Sequence, residues 1–327
     1  MKSFFALALA GAVSATVMDS NDYRFMSFIV EHSKEYATVE EYNMRKSNYM
    51  FMDAEIVRIN QSQETHVAGH NYLSDYSREE YQKLLGLKNM PKPDRSNRVL
   101  ADAPEGLTIP TSVNWVSAGK VNAIKNQASC GSCWAFSATA AMESAHAIFF
   151  STLPSLSEQQ LVSCSSAYGN QGCNGGWYYY AWDYAKVTPL DTEGQYPYTS
   201  GNGITGTCKY VAGSGKYYDA SQTDVAANTL AIQTAIAKQP VSVAIEADTT
   251  TFQSYTSGVI TSSACGTNID HAVVAVGYGT SGSTPYYIVR NSWGTSWGQG
   301  GYVWIGQASG AGICGINQYV AYPTVKA

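Results

Sequence analysis

Residues 127–150, QASCGSCWAFSATAAMESAHAIFF, place a closely spaced pair of cysteines directly before a long alanine-rich segment. From residue 133 to residue 150 the segment is largely apolar and has no Gly or Pro, which predicts a mostly buried helix. Cys133 then lies at the N-terminus of this helix, where unsatisfied N–H groups and the helix dipole favour a thiolate over a thiol. Cys133 is therefore a candidate nucleophile.

The pair Cys130 and Cys133 allows three interpretations. A zinc site needs about four Cys or His ligands, and the region after residue 108 has no second Cys-x2-Cys pair and no His-x3-5-His pair. A thioredoxin-like redox pair requires a βαβ context, and no clear strand precedes Cys130. The third interpretation makes Cys130 a structural disulfide partner and Cys133 a nucleophile, and it is the one that we favour.

A nucleophilic cysteine needs a base, and only His146 and His271 follow residue 108. His146 lies 13 residues along the same predicted helix, about 20 Å from Cys133 and too far for contact. His271 begins an apolar run, where a lone histidine is by default a buried structural residue. However, a turn over residues 280–283 would place Asn291 opposite His271 in a hairpin, and an amide can orient an imidazole.

The composition divides the chain near residue 105. Residues 16–108 have 11 basic and 15 acidic side chains, residues 109–327 have 8 and 10, and all seven cysteines follow the break. A polar, proline-marked segment over residues 88–107 predicts a linker. Helical spacing over residues 22–32 and 39–59, with a capping box formed by Thr38 and Glu41, predicts a helical first region.

The second region begins with the predicted helix and ends in strands. Short β-branched and aromatic runs separated by Gly-rich turns predict strands over residues 241–245, 272–278, 286–290 and 302–305. We therefore expect an α+β fold with an antiparallel sheet.

Composition also excludes several classes of protein. The chain has 327 residues, of which 45% are hydrophobic, and a formal net charge of -5, which is typical of globular proteins. Without a basic cluster, binding to nucleic acid has no electrostatic basis. Outside the N-terminus no apolar run approaches the length that spans a bilayer, so we expect no stable membrane insertion.

The first 15 residues predict a secretory signal peptide, because Lys2 is followed by an apolar stretch over residues 4–13 and then by small residues up to Ala15. A membrane anchor is the alternative, but the apolar stretch is too short to span a bilayer. Export places the chain in an oxidising compartment where cysteines usually pair. Because seven is odd, at least one thiol stays free.

Four motifs together resemble the papain-like cysteine proteases of the cathepsin L type. They are residues 127–136, residues 172–176 (GCNGG), residues 270–279 (DHAVVAVGYG) and residues 291–298 (NSWGTSWG). The resemblance implies a two-lobed fold, with a mainly helical left lobe, a right lobe like an antiparallel β-barrel and a helical prodomain in front. It implies a signal peptide over residues 1–15, an inhibitory propeptide over 16–108 and a mature peptidase domain over 109–327.

The resemblance also implies roles for individual residues. Cys133 would be the nucleophile, His271 the general acid and base, Asn291 the residue that orients it, and Gln127 the oxyanion donor. Trp293 would shield the contact between His271 and Asn291 from water. The sequence departs from the family at Ala128, where glycine is usual, and a positive φ there would strain the loop.

Further positions follow from the family pattern. The implied disulfides are Cys130–Cys173, Cys164–Cys208 and Cys265–Cys314, although spacing alone allows 15 connectivities. The implied substrate-binding residues are Gly175, Gly176, Trp177, Tyr178, Ala244, Ile269, Asp270, Ala272, Trp293 and Tyr319. Tyr319 would shorten the main specificity pocket, so we expect Leu or Val there rather than Phe or Arg.

Residues 16–108 resemble the inhibitory prosegment of this family. The helical pattern comprises Glu41, Arg45, Tyr49, Ile56 and Asn60, followed by a short motif over residues 69–75. Met52 and Leu73 depart from the usual residues of that pattern.

The resemblance therefore implies a zymogen of a cysteine endopeptidase that acts on proteins and peptides without a cofactor or metal, as a monomer, in a lysosome, in a digestive vacuole or outside the cell. Two other hypotheses remain, a catalytically silent relative and a thiol-disulfide oxidoreductase. Retention of Cys133 and His271 favours the peptidase.

Overall fold

The structure is a computed structural model that describes residues 19–104 and 106–326. The expected signal peptide therefore lies outside the described residues. Within the described part of the chain, no helix is both long and apolar enough to cross a membrane.

The chain forms eight α-helices and ten strands within the described ranges. The helices are α1 Ser20–Glu31, α2 Val39–Ser62, α3 Arg78–Gln82, α4 Cys133–Phe149, α5 Glu158–Cys164, α6 Tyr178–Val187, α7 Thr229–Lys238 and α8 Thr250–Gln253. The strands are β1 His66–Ala68, β2 Val99–Ala101, β3 Val113–Asn114, β4 Tyr218–Val225, β5 Val241–Ile245, β6 Tyr255–Ile260, β7 His271–Ser281, β8 Thr284–Arg290, β9 Tyr302–Gly306 and β10 Val320–Lys326.

Helices α1 and α2 confirm the two helices predicted in the first region. The Thr38 side chain accepts a hydrogen bond from the Glu41 N–H and so caps α2, which satisfies a donor that the helix itself leaves free. Phe25, Phe28 and Tyr49 form a small buried cluster between the two helices.

A central helix separates the two lobes. The predicted buried helix is confirmed as α4, which packs against α5 and α6 on one side and against β5, β7 and β10 on the other. Cys133 at the start of α4 and His271 at the start of β7 therefore meet at the junction of the lobes. Three disulfides, Cys130–Cys173, Cys164–Cys208 and Cys265–Cys314, are the pairs that the family pattern implies.

The right lobe is built on a mostly antiparallel sheet. Its strands follow the order β1-β6-β9-β8-β7-β5-β10-β4-β2, with β3 paired to β7. The pairs β6–β9 and β2–β4 are parallel, and the remaining pairs are antiparallel, as the sequence predicts for the sheet.

The register of the β7–β8 hairpin differs from the prediction. The turn contains only Gly282 and Ser283, so that Ser281 pairs with Thr284, and a bulge follows between Ala275 and Gly277. Gly282 has a φ of 59°, which suits a two-residue hairpin turn. Asn291 is consequently not paired with His271 in the ladder, because β8 ends at Arg290, opposite Val274.

The first region adds one strand to each end of the sheet of the peptidase domain. Strand β1 pairs with β6 and strand β2 pairs with β4, so this region occupies both ends of the strand order. Between these strands, residues 83–98 follow the junction between the lobes. Both sheet edges and the cleft are therefore covered by one continuous segment.

Candidate active site

Cys133 lies fully buried beneath the first region. Its Sγ accepts a hydrogen bond from the Ala272 N–H at 3.4 Å, and it is the free cysteine among the described residues. A Cβ at Gly86 would lie only 3.1 Å from Sγ and would clash with the carbonyl of Gly131. Only glycine therefore lets residues 83–98 pass this close to the thiol.

Burial raises the pKa of Cys133 to about 12, although nearby backbone N–H groups oppose the shift. Desolvation in this covered form outweighs the backbone N–H groups near the helix N-terminus that favour a thiolate. In this form Cys133 is a thiol.

His271 is held by Asn291 as expected, although not through the predicted ladder pairing. Its Nε2 lies 2.8 Å from Asn291 Oδ1, and the same oxygen accepts the Ser292 N–H. Oδ1 is thus an acceptor, which places the histidine proton on Nε2 and leaves a lone pair on Nδ1. Burial lowers the pKa of His271 to about 4, so the imidazole is neutral.

Trp293 covers this pair. Its ring centroid lies 4.7 Å from that of His271, and it is completely buried. The tryptophan therefore keeps water away from the contact between His271 and Asn291, where a hydrogen bond gains strength from the low local dielectric.

The Gln127 side-chain amide donates a hydrogen bond to a peptide carbonyl of the first region. Its Nε2 donates to Leu84 O at 2.9 Å and to Cys130 O at 2.7 Å, and its Oε1 accepts from Ser292 Oγ at 2.7 Å. The amide that the sequence predicts as an oxyanion donor therefore already binds a backbone carbonyl of the first region.

Ala128, directly after Gln127, has a φ of 49°. A positive φ is the condition under which alanine is expected to strain this loop, and the structure has a positive φ here. Because the left-handed region is unfavourable for residues with a Cβ, the loop beside the oxyanion donor is strained.

Leu87 belongs to the same buried cluster as residues of the predicted main pocket and is 2% exposed. The Gly176 N–H donates to Gly86 O at 3.1 Å, and the Leu87 N–H donates to Asp270 O at 2.9 Å. The pocket residues that form one cluster with Leu87 are Trp177, Tyr178, Ala244 and Ala272, with Ile269 and Tyr319 packed against it. Trp293 belongs to a different cluster, with Leu84 and Leu85.

Two other predicted substrate-binding residues have distinct surroundings. A Cβ at Gly175 would clash with Gly86 O and approach Met90, so its lack of a side chain leaves room for a bound backbone. Asp270 accepts a hydrogen bond from the Ala247 N–H, and burial raises its pKa to about 8, with further repulsion from Asp248 and Glu246.

Sequence analysis missed several residues that contact the site. Ser292 orients the Gln127 amide, and its position within the NSWG motif was an available signal. Tyr198 donates to Gln127 O at 2.9 Å and lies 2.9 Å from Ser132 Oγ, and no pattern in the sequence indicates this contact.

Both regions of the chain match models of known protein families. Residues 109–324 match the papain family cysteine protease model, and residues 25–81 match the cathepsin propeptide inhibitor domain. The chain belongs to the papain family of cysteine proteases. It is a zymogen of that family, and its first region is the inhibitory propeptide.

Named relatives of this papain-family zymogen come from plants and animals. Germination-specific cysteine protease 1 of Arabidopsis thaliana is 42% identical over 296 residues, covering 87% of this chain and 77% of that protein. Digestive cysteine proteinase 3 of Homarus americanus is 36% identical over 327 residues, covering 98% and 99%.

Solved structures of precursors resemble this papain-family zymogen along its length. A recombinant stem bromelain precursor has a TM-score of 0.83 at 31% identity and covers 94% of this chain and 100% of its own. Digestive procathepsin L2 from the larval midgut of Tenebrio molitor has a TM-score of 0.84 at 31% identity and covers 93% and 99%.

Proposed function

We propose that this papain-family protease is a cysteine endopeptidase that hydrolyses peptide bonds through Cys133 and His271 and a thioester intermediate. The observation that carries the proposal is the bond between Gln127 Nε2 and Leu84 O. It supports a cleft built to hold a peptide carbonyl beside the Cys133 thiol.

Departure of the propeptide would start the chemistry. Water would then reach the thiol and the imidazole, so the burial that keeps both neutral would fall and the N-terminus of α4 would favour the thiolate. His271 would hold the transferred proton, with Asn291 accepting from Nε2. The result is a thiolate–imidazolium pair poised for nucleophilic attack.

The catalytic cycle then uses the same residues twice. The thiolate attacks the peptide carbonyl, while the Gln127 amide and the Cys133 N–H stabilise the oxyanion. The imidazolium protonates the leaving amine, and His271 next takes a proton from water, which hydrolyses the thioester. The free thiolate and the imidazolium are restored.

The pocket around Leu87 supports a preference for Leu or Val at the second position before the cut. None of its lining residues Trp177, Tyr178, Ala244, Ile269, Ala272 and Tyr319 is charged. An arginine inside this pocket would be desolvated without a partner, which is unfavourable. A substrate library in which Arg or Phe is favoured at this position would overturn the preference.

Endopeptidase action is supported by the surroundings of the two histidines in the mature domain. His146 lies at the far end of α4 from Cys133 and bonds to Thr152, and His271 is in the site. Neither is free to bind the C-terminus of a substrate.

We further infer a monomer whose mature domain begins near residue 109, after an exported precursor loses residues 1–15. The compartment is a lysosome, a digestive vacuole or the extracellular space. The three disulfides support an oxidising compartment.

The alternative of a thiol-disulfide oxidoreductase is disfavoured because Cys130 is bonded to Cys173 and not to Cys133. A silent relative is disfavoured because the candidate nucleophile, base and oxyanion donor are all present.

The deciding experiment measures hydrolysis of a Leu-Arg dipeptidyl fluorogenic amide by the acid-treated zymogen. We expect turnover that an epoxide reactive toward thiols abolishes and that is absent in Cys133→Ala. Cys208→Ala with Cys164→Ala, which removes a distant disulfide, serves as the control for loss of cysteine elsewhere. No turnover after verified removal of residues 16–108 would favour the silent relative.

A further inference from the structure

The propeptide segment in the cleft is strongly cationic. Residues 83–98 contain five basic residues and one acidic residue. Three of the basic side chains meet carboxylates of the peptidase domain, as Lys88–Asp248 at 3.0 Å, Arg95–Asp224 at 3.7 Å and Arg98–Asp183 at 3.8 Å. Charge complementarity therefore accompanies the backbone contacts along this segment.

Arg95 occupies the most enclosed of these contacts. Its guanidinium carbon lies 4.3 Å from the centre of the Tyr319 ring, while its Nε faces Asp224. The Lys92 ammonium also lies over the same ring, at 6.0 Å. A cation above an aromatic face and next to a carboxylate is stabilised by both groups.

The two residues that contact Arg95, Asp224 and Tyr319, belong to the mature domain. Asp224 on β4 pairs with Ala321 on β10, and Tyr319 lies two residues before Ala321. Tyr319 directly precedes β10, and Arg95 contacts both the Asp224 carboxylate and the Tyr319 ring. Both side chains therefore belong to the mature domain, and in the zymogen Leu100 of the propeptide strand β2 also pairs with Asp224.

Apart from the propeptide cations Arg95 and Arg98, the Asp224 carboxylate interacts with the Tyr179 hydroxyl. The Asp224 side chain is 5% exposed, and its Oδ1 has no hydrogen-bond partner among residues 19–104 and 106–326. A buried carboxylate without a cation is costly. Once Arg95 leaves with the propeptide, another cation on this face would restore the lost interaction.

The position of the site relates it to a bound substrate. Leu87 packs in one cluster with residues of the proposed main pocket. The Trp177 indole donates to Pro91 O at 2.9 Å, and Arg95 follows four residues later in the chain. Because this path leads away from Cys133 beyond the main pocket, a substrate side chain at the site would belong to a residue further from the cut than the one in that pocket.

We propose that Tyr319 and Asp224 form a binding site for an arginine side chain of the substrate, upstream of the residue in the main pocket. In the zymogen Arg95 fills this site. The proposal rests on the proposed endopeptidase function and adds a second determinant of specificity to it.

The test uses the activated enzyme and internally quenched peptides with Leu at the second position before the cut. Arg replaces Gln, one position at a time, at positions three to eight before the cut. We expect at least one Arg peptide to have a kcat/KM about fivefold above its Gln counterpart. We expect this ratio to fall to near one in Asp224→Asn and to fall as well in Tyr319→Leu.

Asp183→Asn is the matched control, because it removes the same charge from a half-exposed pair that does not touch the Tyr319 ring. The ratio should persist in this variant. A flat response to Arg at every position, or an equal ratio in Asp224→Asn, would overturn the site while leaving the peptidase intact. Absence of any hydrolysis would contradict the proposed function itself and the site with it.

Discussion

At the scale of single residues, Ala128 combines a strained backbone with a position next to the oxyanion donor. Its φ is 49° and its side chain is exposed, so a glycine would relieve strain without removing a buried contact. We expect Ala128→Gly to stabilise the zymogen by about 0.5–1 kcal/mol, since relief of strain exceeds the added freedom of the unfolded chain. Thermal or denaturant unfolding measures the change.

Ser151→Gly is the matched control for this prediction. Ser151 has a φ of 60° and is also exposed, but it lies at the other end of α4, away from the site. Both variants should gain stability by the same mechanism. A loss of stability in Ala128→Gly alone would show that the alanine makes a favourable contact that outweighs its strain.

The protonation states of Cys133 and His271 are not set by these two residues alone. The sequence predicts their identities as nucleophile and base, and the structure brings them to the same junction. Their protonation in the zymogen depends on burial by a distant segment, which raises one pKa and lowers the other. Both shifts favour the neutral forms.

At the scale of elements, the loop from Tyr198 to Gly203 supports the oxyanion loop. Tyr198 donates to Gln127 O, Ser132 Oγ lies within hydrogen-bond distance of the same hydroxyl, and the Ser129 N–H donates to Gly201 O. These bonds connect Gln127 with the residue that precedes Cys133. The loop therefore positions the candidate oxyanion donor relative to the candidate nucleophile.

We expect Tyr198→Phe to lower kcat about fivefold with little change in KM, because one net hydrogen bond of about 1 kcal/mol that positions a transition-state contact is lost. Steady-state kinetics on the activated enzyme measures it. In a Gln127→Ala background the substitution should have no further effect, since the donor that it positions is absent.

Tyr196→Phe, two residues before this loop, is the control. Its hydroxyl accepts from the Lys209 N–H and contacts Thr207, so its loss should affect stability but not kcat. Full additivity of Tyr198→Phe with Gln127→Ala would contradict the positioning role.

At the scale of the whole molecule, His66 connects propeptide docking to pH. It lies on β1, paired with Gly258 on β6, and it is 3% exposed. Neither ring nitrogen has a hydrogen-bond partner among the described residues. Burial lowers the pKa of His66 to about 4, so the docked propeptide holds this imidazole neutral.

The sign of the effect follows from proton linkage. A histidine with a pKa lowered by docking binds protons more readily when undocked, so docking loses stability as pH falls from about 6.5 towards 4. Glu80, which pairs with Arg45, has a pKa below its usual value, so its contribution is lost only at more acidic pH. Between pH 7 and 5, His66 should therefore dominate over this carboxylate.

We expect His66→Phe to shift acid undocking to lower pH by at least about half a unit. Trp177 and Trp293 contact the propeptide, so tryptophan fluorescence during an acid titration measures undocking, and a Cys133→Ala background prevents self-cleavage. His146→Gln, in the mature domain, should leave the transition unchanged. Equal midpoints for His66→Phe and the parent chain would contradict the role of His66.

Local sequence determined the secondary-structure elements and caps that depend on residues close together in the chain. The helix that starts at Cys133, the strand over residues 241–245 and the capping of α2 by Thr38 follow from periodicity, composition and short-range hydrogen bonds. The family motifs likewise identified the candidate nucleophile, base, orienting amide and oxyanion donor.

Tertiary structure alone decided the features that require segments distant in sequence to meet. A two-residue turn and a bulge set the hairpin register, so Asn291 reaches His271 from just beyond β8 and not across the ladder. Gly86 covers the Cys133 thiol, Leu87 packs against residues of the proposed main pocket, and the Arg95 guanidinium lies over the Tyr319 ring. Desolvation and charge pairing depend on distances in space, and a linear pattern of residue types does not specify those distances.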